Sequence, residues 1–416
     1  MTSRQETDGQ VGPAAATAIG PRALLATPSY LRLWIAGGAG NSMRWLEVLV
    51  AGIYTFELTG SALWVAIVTV ARSLPMLFLG SLTGVISEAL NRKTILLSGL
   101  FIMAANSAVL CGLAAEDAIH IWHIAVGGII AGTVWTTEMA VRRRMIGEVM
   151  AASHVGQAIA LDSVTGSATR MLGPLVGGIA FQTVGLAGAY ALATAIYLAA
   201  AIVVLGLGYR QETRRLHFAR IPADIIEGLA IVWRNPVILA VVLITIITNV
   251  FAFSYSALIA PIGLGDYAVP PMLVGLLAAA EPLGAIISGI GLAAGWLRMD
   301  RPRVMINGSL LFLSALVATA LAPWFWLAFA LLLGGGLGTA AFSTMQSALV
   351  LTNAPAGARS RILGIITVCI GTGPLGVLAV GALSDWLSPS RAMLAMALAG
   401  LAALAAVRAI SPAMRR

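Results

Sequence analysis

The chain has 416 residues, of which 59% are hydrophobic and 10% are charged. A globular domain carries roughly 25% charged residues, so this composition excludes a soluble protein and predicts an integral membrane protein. The formal net charge of +8 does not indicate nucleic-acid binding, because the basic residues are spread over the polar segments between apolar runs.

Twelve apolar runs have the length of about 20 residues that crosses a bilayer. They cover residues 33–56, 63–86, 94–114, 120–141, 156–182, 186–208, 236–260, 271–296, 304–321, 323–350, 361–383 and 391–409. The longest polar interruption between them, 209–235, divides the runs six and six. Spacing echoes between the halves, such as Gly132 to Met139 and Gly338 to Met345, suggest two related bundles. The sequence therefore predicts an all-α integral membrane protein with twelve transmembrane helices in two six-helix bundles related by a pseudo-two-fold axis.

The predicted domain boundaries follow this division. Residues 1–29 lack the apolar core of a signal peptide and are expected to form a disordered cytoplasmic tail. Residues 30–208 form the first bundle, 209–235 a cytoplasmic linker, 236–410 the second bundle and 411–416 a cytoplasmic C-terminus. Within the linker, Ile221, Ile225 and Leu229 recur at helical spacing, which predicts a short amphipathic helix; a plain connector is the alternative.

The basic residues predict the orientation in the membrane. If the N-terminus is cytoplasmic, all but four of the 25 Lys and Arg residues lie in cytoplasmic segments or at their edges. The exceptions are Arg44, Arg72 and Arg170 inside spans and Arg391 in an outer loop. Because Lys and Arg accumulate on the cytoplasmic side, we expect both termini in the cytoplasm and a multi-pass protein of the plasma (inner) membrane.

Ionisable residues inside membrane spans are functional candidates, since an unpaired charge there costs several kcal/mol. Six lie well within the predicted spans: Arg44, Glu47, Arg72, Asp162, Arg170 and Glu281. Asn41, Arg44 and Glu47 share one face of the first span. They are expected to line a cavity, or to contain a structural ion pair between Arg44 and Glu47.

Arg72 and Glu281 lie at similar depths in corresponding spans of the two halves. They would form a gate if they met in one state and separated in another; the alternative is that each pairs locally.

The fifth span carries an acid and a base. Asp162 is expected to accept from Arg92 or from Arg142–Arg144 near the cytoplasmic end. Arg170 is deeper and is the best basic candidate for a negative group on the substrate. Glu138 is expected to pair at the inner surface rather than to couple transport.

A family resemblance begins between the second and third spans. The segment from Gly84 through Glu88 to Arg92 and Lys93 resembles the cytoplasmic signature of the major facilitator superfamily. It departs from that signature at Glu88, which replaces Asp, at Ala89, which replaces a basic residue, and at Asn91, which replaces Gly. The resemblance implies a gating or structural role for this loop and for its partner Asp162.

The fifth span resembles the antiporter signature of the same superfamily. Gly173, Pro174, Gly177 and Gly178 match it, and Thr169 replaces its first Gly. Further segments resemble the branch that holds macrolide-type drug exporters and the enterobactin exporter; they are 58–62, 71–75, 227–236, 374–376 and 381–385. The resemblance covers about 30–410. The fourth-span Arg of many proton antiporters has no counterpart near Gly128.

The resemblance implies a secondary active transporter that works by alternating access and exports an amphipathic, drug- or siderophore-like small molecule. Glu47 or Glu281 would carry the proton if transport is proton-coupled. Uptake, or movement of a lipid-like metabolite, is the alternative. A channel or an intramembrane enzyme is less favoured, because repeated polar rings, His-Glu-x-x-His and Gly-x-Ser-x-Gly are absent from the sequence.

The expected partners are the substrate, the lipid bilayer and, if transport is coupled, protons. No nucleic acid, cofactor or metal is expected, and the protein is expected to be a monomer. His120 and His123 lie at the outer end of a span, where interfacial polar residues are a simpler interpretation than metal ligands.

Overall fold

The computed structural model describes residues 20–89, 91–151, 153–209, 221–294, 300–355 and 358–410. At 77–89, 221–226, 228, 293, 360 and 410 the description covers the backbone alone. The residues of the N-terminal half, 20–209, form six helices: α1 (Pro21–Leu25), α2 (Pro28–Thr59), α3 (Ala62–Ala89), α4 (Arg92–Ala115), α5 (Ile121–Val149) and α6 (Val155–Leu205).

The C-terminal half, residues 221–410, begins with α7 (Ile221–Arg234) and α8 (Pro236–Ile247). It continues with α9 (Pro271–Ala293), α10 (Arg301–Ala320), α11 (Phe325–Asn353), α12 (Arg359–Ile370), α13 (Gly373–Leu387) and α14 (Pro389–Ile410). Between α8 and α9 the chain stays helical but irregular, with π-helical turns at Thr248–Ala252 and Pro261–Asp266 and a 3-10 segment at Phe253–Leu258.

Nine helical runs in the described ranges are long and apolar enough to cross a membrane, which confirms a multi-pass membrane protein. The 32-residue α2 is not among them, because Asn41, Arg44 and Glu47 lower its hydropathy. The 51-residue α6 spans roughly 77 Å at 1.5 Å per residue. Since a hydrocarbon core is about 30 Å thick, α6 is long enough for two crossings.

α6 turns at Gly185, at the position where the sequence predicts a boundary between two spans. Gly185 has φ 68° and ψ −173°, a conformation that L side chains avoid. The helix therefore consists of a first arm that ends before Gly185 and a second arm that follows it.

Several predicted boundaries are wrong. The N-terminal tail was expected to be disordered up to residue 29, but α1 begins at Pro21, and Leu24 is buried in the core. α5 continues to Val149 rather than ending near 141, because the helix extends past its apolar part through Arg142–Arg144. The run 361–383 remains one candidate crossing, Arg361–Leu387, although its helix is interrupted between α12 and α13 at Gly371 and Thr372, just before Pro374.

The amphipathic helix predicted in the linker is present as α7. Its Glu227 forms an ion pair with Arg361, with 2.8 Å between Oε1 and Nη1. This pair ties the linker to α12. Residues 1–19, 210–220 and 411–416, which belong to the predicted tail, linker and C-terminus, lie outside the described ranges.

Buried side chains form two large clusters that follow the two halves of the chain. One runs from Leu24 to Leu207. The other runs from Val232 to Val407 and also takes in Leu49, Ile53 and Ala62 of the N-terminal half. Each half therefore has its own core. The C-terminal part of α2 and the start of α3 pack into the core of the C-terminal half.

Two seams connect the halves. In the α6–α9 seam, a Cβ on Gly178 would lie 2.4 Å from the Pro271 carbonyl oxygen, and a Cβ on Gly275 would lie 2.5 Å from that of Pro174. Only glycine lets these backbones approach so closely. At the same end, the backbone N–H of Met272 donates to Gln182 Oε1 at 3.1 Å.

In the α3–α13 seam, Asp385 lies at the start of α3 and accepts hydrogen bonds from Ser61 Oγ at 2.6 Å and from the Ala62 N–H at 2.9 Å. A carboxylate there satisfies free N–H groups and interacts well with the positive end of the helix dipole. Gly381 packs against Ala66 in the same seam. Both seams lie at the helix ends next to two short connections. One connection joins Thr59 to Ala62 and the other joins Asp266 to Pro271.

Close packing of α9 on α11 gives a sharp stability test. A Cβ on Gly336 would lie 2.1 Å from the Glu281 carbonyl oxygen, whereas a Cβ on Gly334, two residues away, would have no atom within 4 Å. We expect Gly336→Ala to destabilise the protein by about 1–3 kcal/mol, the range typical of overpacking. Gly334→Ala should be neutral or stabilising by up to about 1 kcal/mol, because alanine favours helix. Thermal unfolding of the purified variants measures both, and equal effects would contradict the packing described.

Candidate functional site

A cavity of about 320 Å³ lies between α2, α4, α5 and α6. Its wall combines aromatic, basic and acidic side chains, including Arg44, Trp45, Trp135, Glu138, Arg170 and Tyr197. Pockets with apolar and aromatic walls and a few convergent polar groups are typical ligand sites. This cavity therefore contains two of the embedded arginines that the sequence predicts as candidates.

Arg44 contacts two indole rings. Its guanidinium carbon is 4.9 Å from the centre of the Trp45 ring and 4.1 Å from that of Trp135. The guanidinium carbon of Arg170 lies 5.6 Å from the centre of the same Trp45 ring. Cation–π contacts of this kind are strongest where water is excluded. The Arg44 Nη1 atom is buried and has no hydrogen-bond partner among the described residues.

Of the two roles expected for this face of the first span, Asn41 and Arg44 line the cavity, and the alternative ion pair between Arg44 and Glu47 does not form. Glu47 is 2% exposed and accepts from Ser107 Oγ at 2.5 Å, Tyr197 Oη at 3.3 Å and Arg72 Nη2 at 3.4 Å. Residues three apart on a helix can pair, but here the two side chains meet different helices. Glu47 instead ties α2 to α3, α4 and the second arm of α6.

Arg170 forms an ion pair with Glu281, and this pair bridges the two halves of the chain. Arg170 Nη2 lies 2.7 Å from Glu281 Oε2; the Arg170 side chain is 35% exposed and that of Glu281 is fully buried. Glu281 Oε1 is buried and has no hydrogen-bond partner in the described part of the chain. In this structure, then, Glu281 meets Arg170 and Arg72 meets Glu47, rather than Arg72 meeting Glu281.

Asp162 accepts from Arg142 Nη1, one of the partners predicted for it. Both side chains line the same cavity. The Arg142 guanidinium also packs on Gly37, where a Cβ would lie 2.4 Å from Nη1, so a larger residue there would displace the guanidinium.

Glu138 was expected to pair at the inner surface, and the structure places it in the cavity wall. Arg142 and Arg44 line the same cavity. Because Arg142 pairs with Asp162, no ion pair or hydrogen bond to the Glu138 carboxylate forms within the described ranges.

The glycines predicted in the fifth span lie at contacts with α2 and α9. A Cβ on Gly173 would meet the Ser42 carbonyl oxygen at 2.7 Å, and one on Gly177 would meet Leu46 at 3.2 Å. Pro174 lies inside α6 between them. Next to this contact, Asn41 donates to Thr169 Oγ1, the residue that replaces the first signature Gly. These residues bring Arg170 and the cavity close to α9.

The loop before α4 is described only in part. Gly84 and Glu88 are described by their backbone alone. Arg92 contacts Glu148 of α5 and donates to Tyr209 Oη at 2.9 Å. Lys93 Nζ donates to the carbonyl oxygens of Leu205 and Leu207 at 2.8 and 2.7 Å. The two basic residues therefore fasten α4 to the ends of α5 and α6.

The two indole walls, Trp45 and Trp135, were not predicted as site residues. The available signal was position: both lie in the middle of their spans, whereas interfacial tryptophans lie near span ends. The described residues contain no group of three or more His, Cys, Asp or Glu side chains arranged to hold a metal ion. His120 and His123 stack on each other at 5.6 Å.

Residues 19–415 match the family model described as transmembrane secretion effector. The chain belongs to this family of major facilitator superfamily transporters. It is similar to the multidrug efflux pump Tap of Mycolicibacterium fortuitum, with 25% identity over 369 residues, 84% of this chain and 87% of that protein. The Tap protein of Mycobacterium tuberculosis (strain ATCC 25618 / H37Rv) is 26% identical over 387 residues, 89% of both chains.

Solved structures show the same fold at low sequence identity. A bacterial homologue of the human lysosomal transporter Spinster, in an inward-facing and unoccupied conformation, superposes with a TM-score of 0.70 at 15% identity, over 95% of this chain and 97% of that one. A bacterial homologue of the iron transporter ferroportin, inward-facing, gives 0.68 at 15% identity, over 92% and 99%. The predicted resemblance to drug exporters is confirmed, and the protein is a transporter rather than an enzyme.

The buried Glu47–Arg72 pair predicts that the effects of replacing its two residues on the stability of this transporter depend strongly on each other. We expect Glu47→Leu and Arg72→Leu each to destabilise by about 3–5 kcal/mol, because each leaves a buried charge without its partner. The double variant should be less destabilised than the sum of the two by about 0.5–3 kcal/mol. Unfolding of the purified variants measures the cycle, and strictly additive losses would argue against the pair.

Proposed function

We propose that this transporter exports amphipathic small molecules by alternating access, with the cavity beside Arg44 and Arg170 as its substrate site. The observation that carries the proposal is the Arg170–Glu281 ion pair, which lies at the cavity and also links the two halves of the chain. A group with both properties can connect events at the substrate to movement of one half against the other.

The proposed architecture is twelve transmembrane helices in two bundles, with the two arms of α6 crossing separately. The first bundle covers residues 30–208 and the second 236–410, joined by the linker 209–235 that contains α7. The two separate cores support this division. The distribution of Arg and Lys supports cytoplasmic termini in an inner membrane, and the transporter is proposed to act as a monomer.

We assign the conformation as inward-facing. In the proposed orientation, both the α6–α9 seam and the α3–α13 seam lie at the extracellular ends of their helices. Gly178 and Gly275 close one seam, and Asp385 at the start of α3 closes the other. Alternating access then requires these seams to open while the cytoplasmic ends approach.

The cavity wall suggests the chemistry of the substrate. Trp45, Trp135 and Tyr197 offer aromatic surface, and Glu138 offers a carboxylate that forms no ion pair in the described part of the chain. An amphipathic molecule with a planar or apolar body fits this combination. Efflux of several drugs by the related Tap proteins supports a broad substrate range of this type.

The Arg170–Glu281 pair supplies a route to proton coupling. Protonation of Glu281 removes its negative charge and so removes the attraction that holds Arg170 across the interface. Arg170 then becomes available to a negative or polar group on the substrate. Deprotonation restores the pair and the contact between the halves. Glu47 is a second carboxylate of this kind, although Arg72, Ser107 and Tyr197 hold it inside one half.

Glu281→Gln tests this function. In everted membrane vesicles, an inside-acid pH gradient should drive uptake of a fluorescent amphipathic dye by the native transporter. Glu281→Gln should reduce this gradient-driven accumulation at least roughly tenfold, the loss expected when a proton-transfer group is removed, while downhill dye exchange persists. Glu57→Gln, at an exposed carboxylate near the end of α2, is the matched control and should transport normally. Undiminished pH-driven accumulation in Glu281→Gln would rule out this residue as the coupling site.

The aromatic wall can be tested separately by binding. Trp135→Ala should weaken binding of the same dye by roughly 5- to 150-fold, corresponding to the 1–3 kcal/mol that an aromatic contact and its stacked cation contribute. Trp326→Ala, at an exposed residue of α11, should leave the affinity unchanged. Titration of the purified protein measures both, and an unchanged affinity in Trp135→Ala would place the substrate elsewhere.

A further inference from the structure

A second cavity, of about 400 Å³, lies in the C-terminal half between α9, α10 and α11. Its wall is nearly all apolar and includes Ile287, Leu292, Leu311 and Leu337. Ile287 is 43% exposed and Leu311 is 46% exposed, so the cavity is a groove on the outer surface of the helices. An exposed apolar surface of this kind on transmembrane helices is expected to face lipid.

The groove exists because its floor is lined by glycines, which carry no side chain. Gly291, Gly308 and Gly338 line it. Gly308 and Gly338 are in close contact, since a Cβ on Gly338 would lie 2.2 Å from the Gly308 carbonyl oxygen. Glycine at these positions lets α10 and α11 approach and leaves a depression in the surface above them.

Polar groups lie in the same groove. Ser288 and Asn307 are lining residues, and Asn307 is exposed. Across the described ranges, the Asn307 side chain forms no hydrogen bond to another residue. A polar side chain without a partner is unfavourable against hydrocarbon, so an occupant with polar atoms at this depth would be favoured over a plain acyl chain.

Two exposed arginines precede the lining residues of α10 along the chain. Arg301 and Arg303 lie in the first turn of α10; Arg301 is about one turn before the lining residue Val304 and Arg303 is next to it. Arg303 reaches Asp300 only at 3.9 Å, and both side chains are at least half exposed. From Arg301 to Leu311 the helix rises roughly 15 Å, which is about half the thickness of a hydrocarbon core. Along α10 the order is thus two exposed arginines, then Asn307, then the apolar residue Leu311.

We propose that this groove is a binding site for an anionic phospholipid. Its phosphate contacts Arg301 and Arg303, its glycerol ester region lies beside Asn307 and Ser288, and one acyl chain lies along Ile287, Gly308 and Leu311. Basic residues beside grooves between transmembrane helices attract anionic headgroups in this way. The site is separate from the cavity beside Arg44, so it stands whatever that cavity transports.

Photolabelling of the full chain in liposomes tests the site. The purified protein is reconstituted in phosphatidylcholine with a trace of either phosphatidylglycerol or phosphatidylcholine that carries a photoreactive acyl chain, and labelled peptides are quantified. The phosphatidylglycerol probe should label 287–292 and 304–311 several-fold more than the lipid-facing residues of α4. Excess unlabelled phosphatidylglycerol should compete, and excess phosphatidylcholine should not.

Two sets of variants test the headgroup contact and the occupancy of the groove separately. Arg301→Gln with Arg303→Gln should lower phosphatidylglycerol labelling roughly tenfold, as expected from loss of two basic groups near an anionic headgroup. Arg234→Gln, at an exposed arginine at the end of α7, is the control and should change nothing. Ser288→Leu should fill part of the groove and lower labelling by both probes there. Even labelling over all lipid-facing helices, or equal labelling by the two probes, would overturn the proposal.

Discussion

A charge inside an apolar helix bundle is costly unless it is paired or lines a cavity, and this cost organises the interior of the transporter. Removing one partner of a buried ion pair leaves the other charge desolvated, at a cost of several kcal/mol. Glu47 with Arg72 fastens helices within the N-terminal half. Asp162 with Arg142 lies at the cavity wall. Arg170 with Glu281 is different, because it crosses between the halves. Any movement that separates the halves at this level breaks that pair; in the proposed mechanism, a proton on Glu281 or a group on the substrate replaces it.

Glycine contacts make these pairs geometrically achievable. Gly173, Gly177 and Gly178 bring the first arm of α6 against α2 and α9, and Gly336 brings α11 against the backbone of Glu281 itself. Helices in lipid gain little from hydrophobic association, so close van der Waals packing carries much of their stability. The same glycines therefore provide packing and place Arg170 within 2.7 Å of Glu281. A side chain at any of these positions would move the charges apart.

Periodicity, hydropathy and the count of Lys and Arg were sufficient to predict most helices from the sequence, because each of these signals is local. The break at Gly185 and the amphipathic α7 were predicted in the same way. The partners of the embedded charges were not. Arg44 and Glu47 are three residues apart and look like a pair, but Arg44 stacks on Trp135 and Glu47 meets Arg72. Glu281 and Arg72 lie at similar depths in corresponding spans, but Glu281 pairs with Arg170 instead. Those choices depend on how helices rotate against one another, which the sequence of a single helix does not encode.

The central claim is that the Arg170–Glu281 pair holds the halves in the arrangement seen here. Spin labels at Trp64→Cys and Trp386→Cys, exposed positions on α3 and α13 beside the Asp385 seam, report that arrangement in a chain with Cys111→Ser and Cys369→Ser. The distance distribution between them should have one short population in the otherwise native chain and gain a longer population in Glu281→Gln, because the seam opens when the pair is lost. An unchanged distribution in Glu281→Gln would contradict the claim.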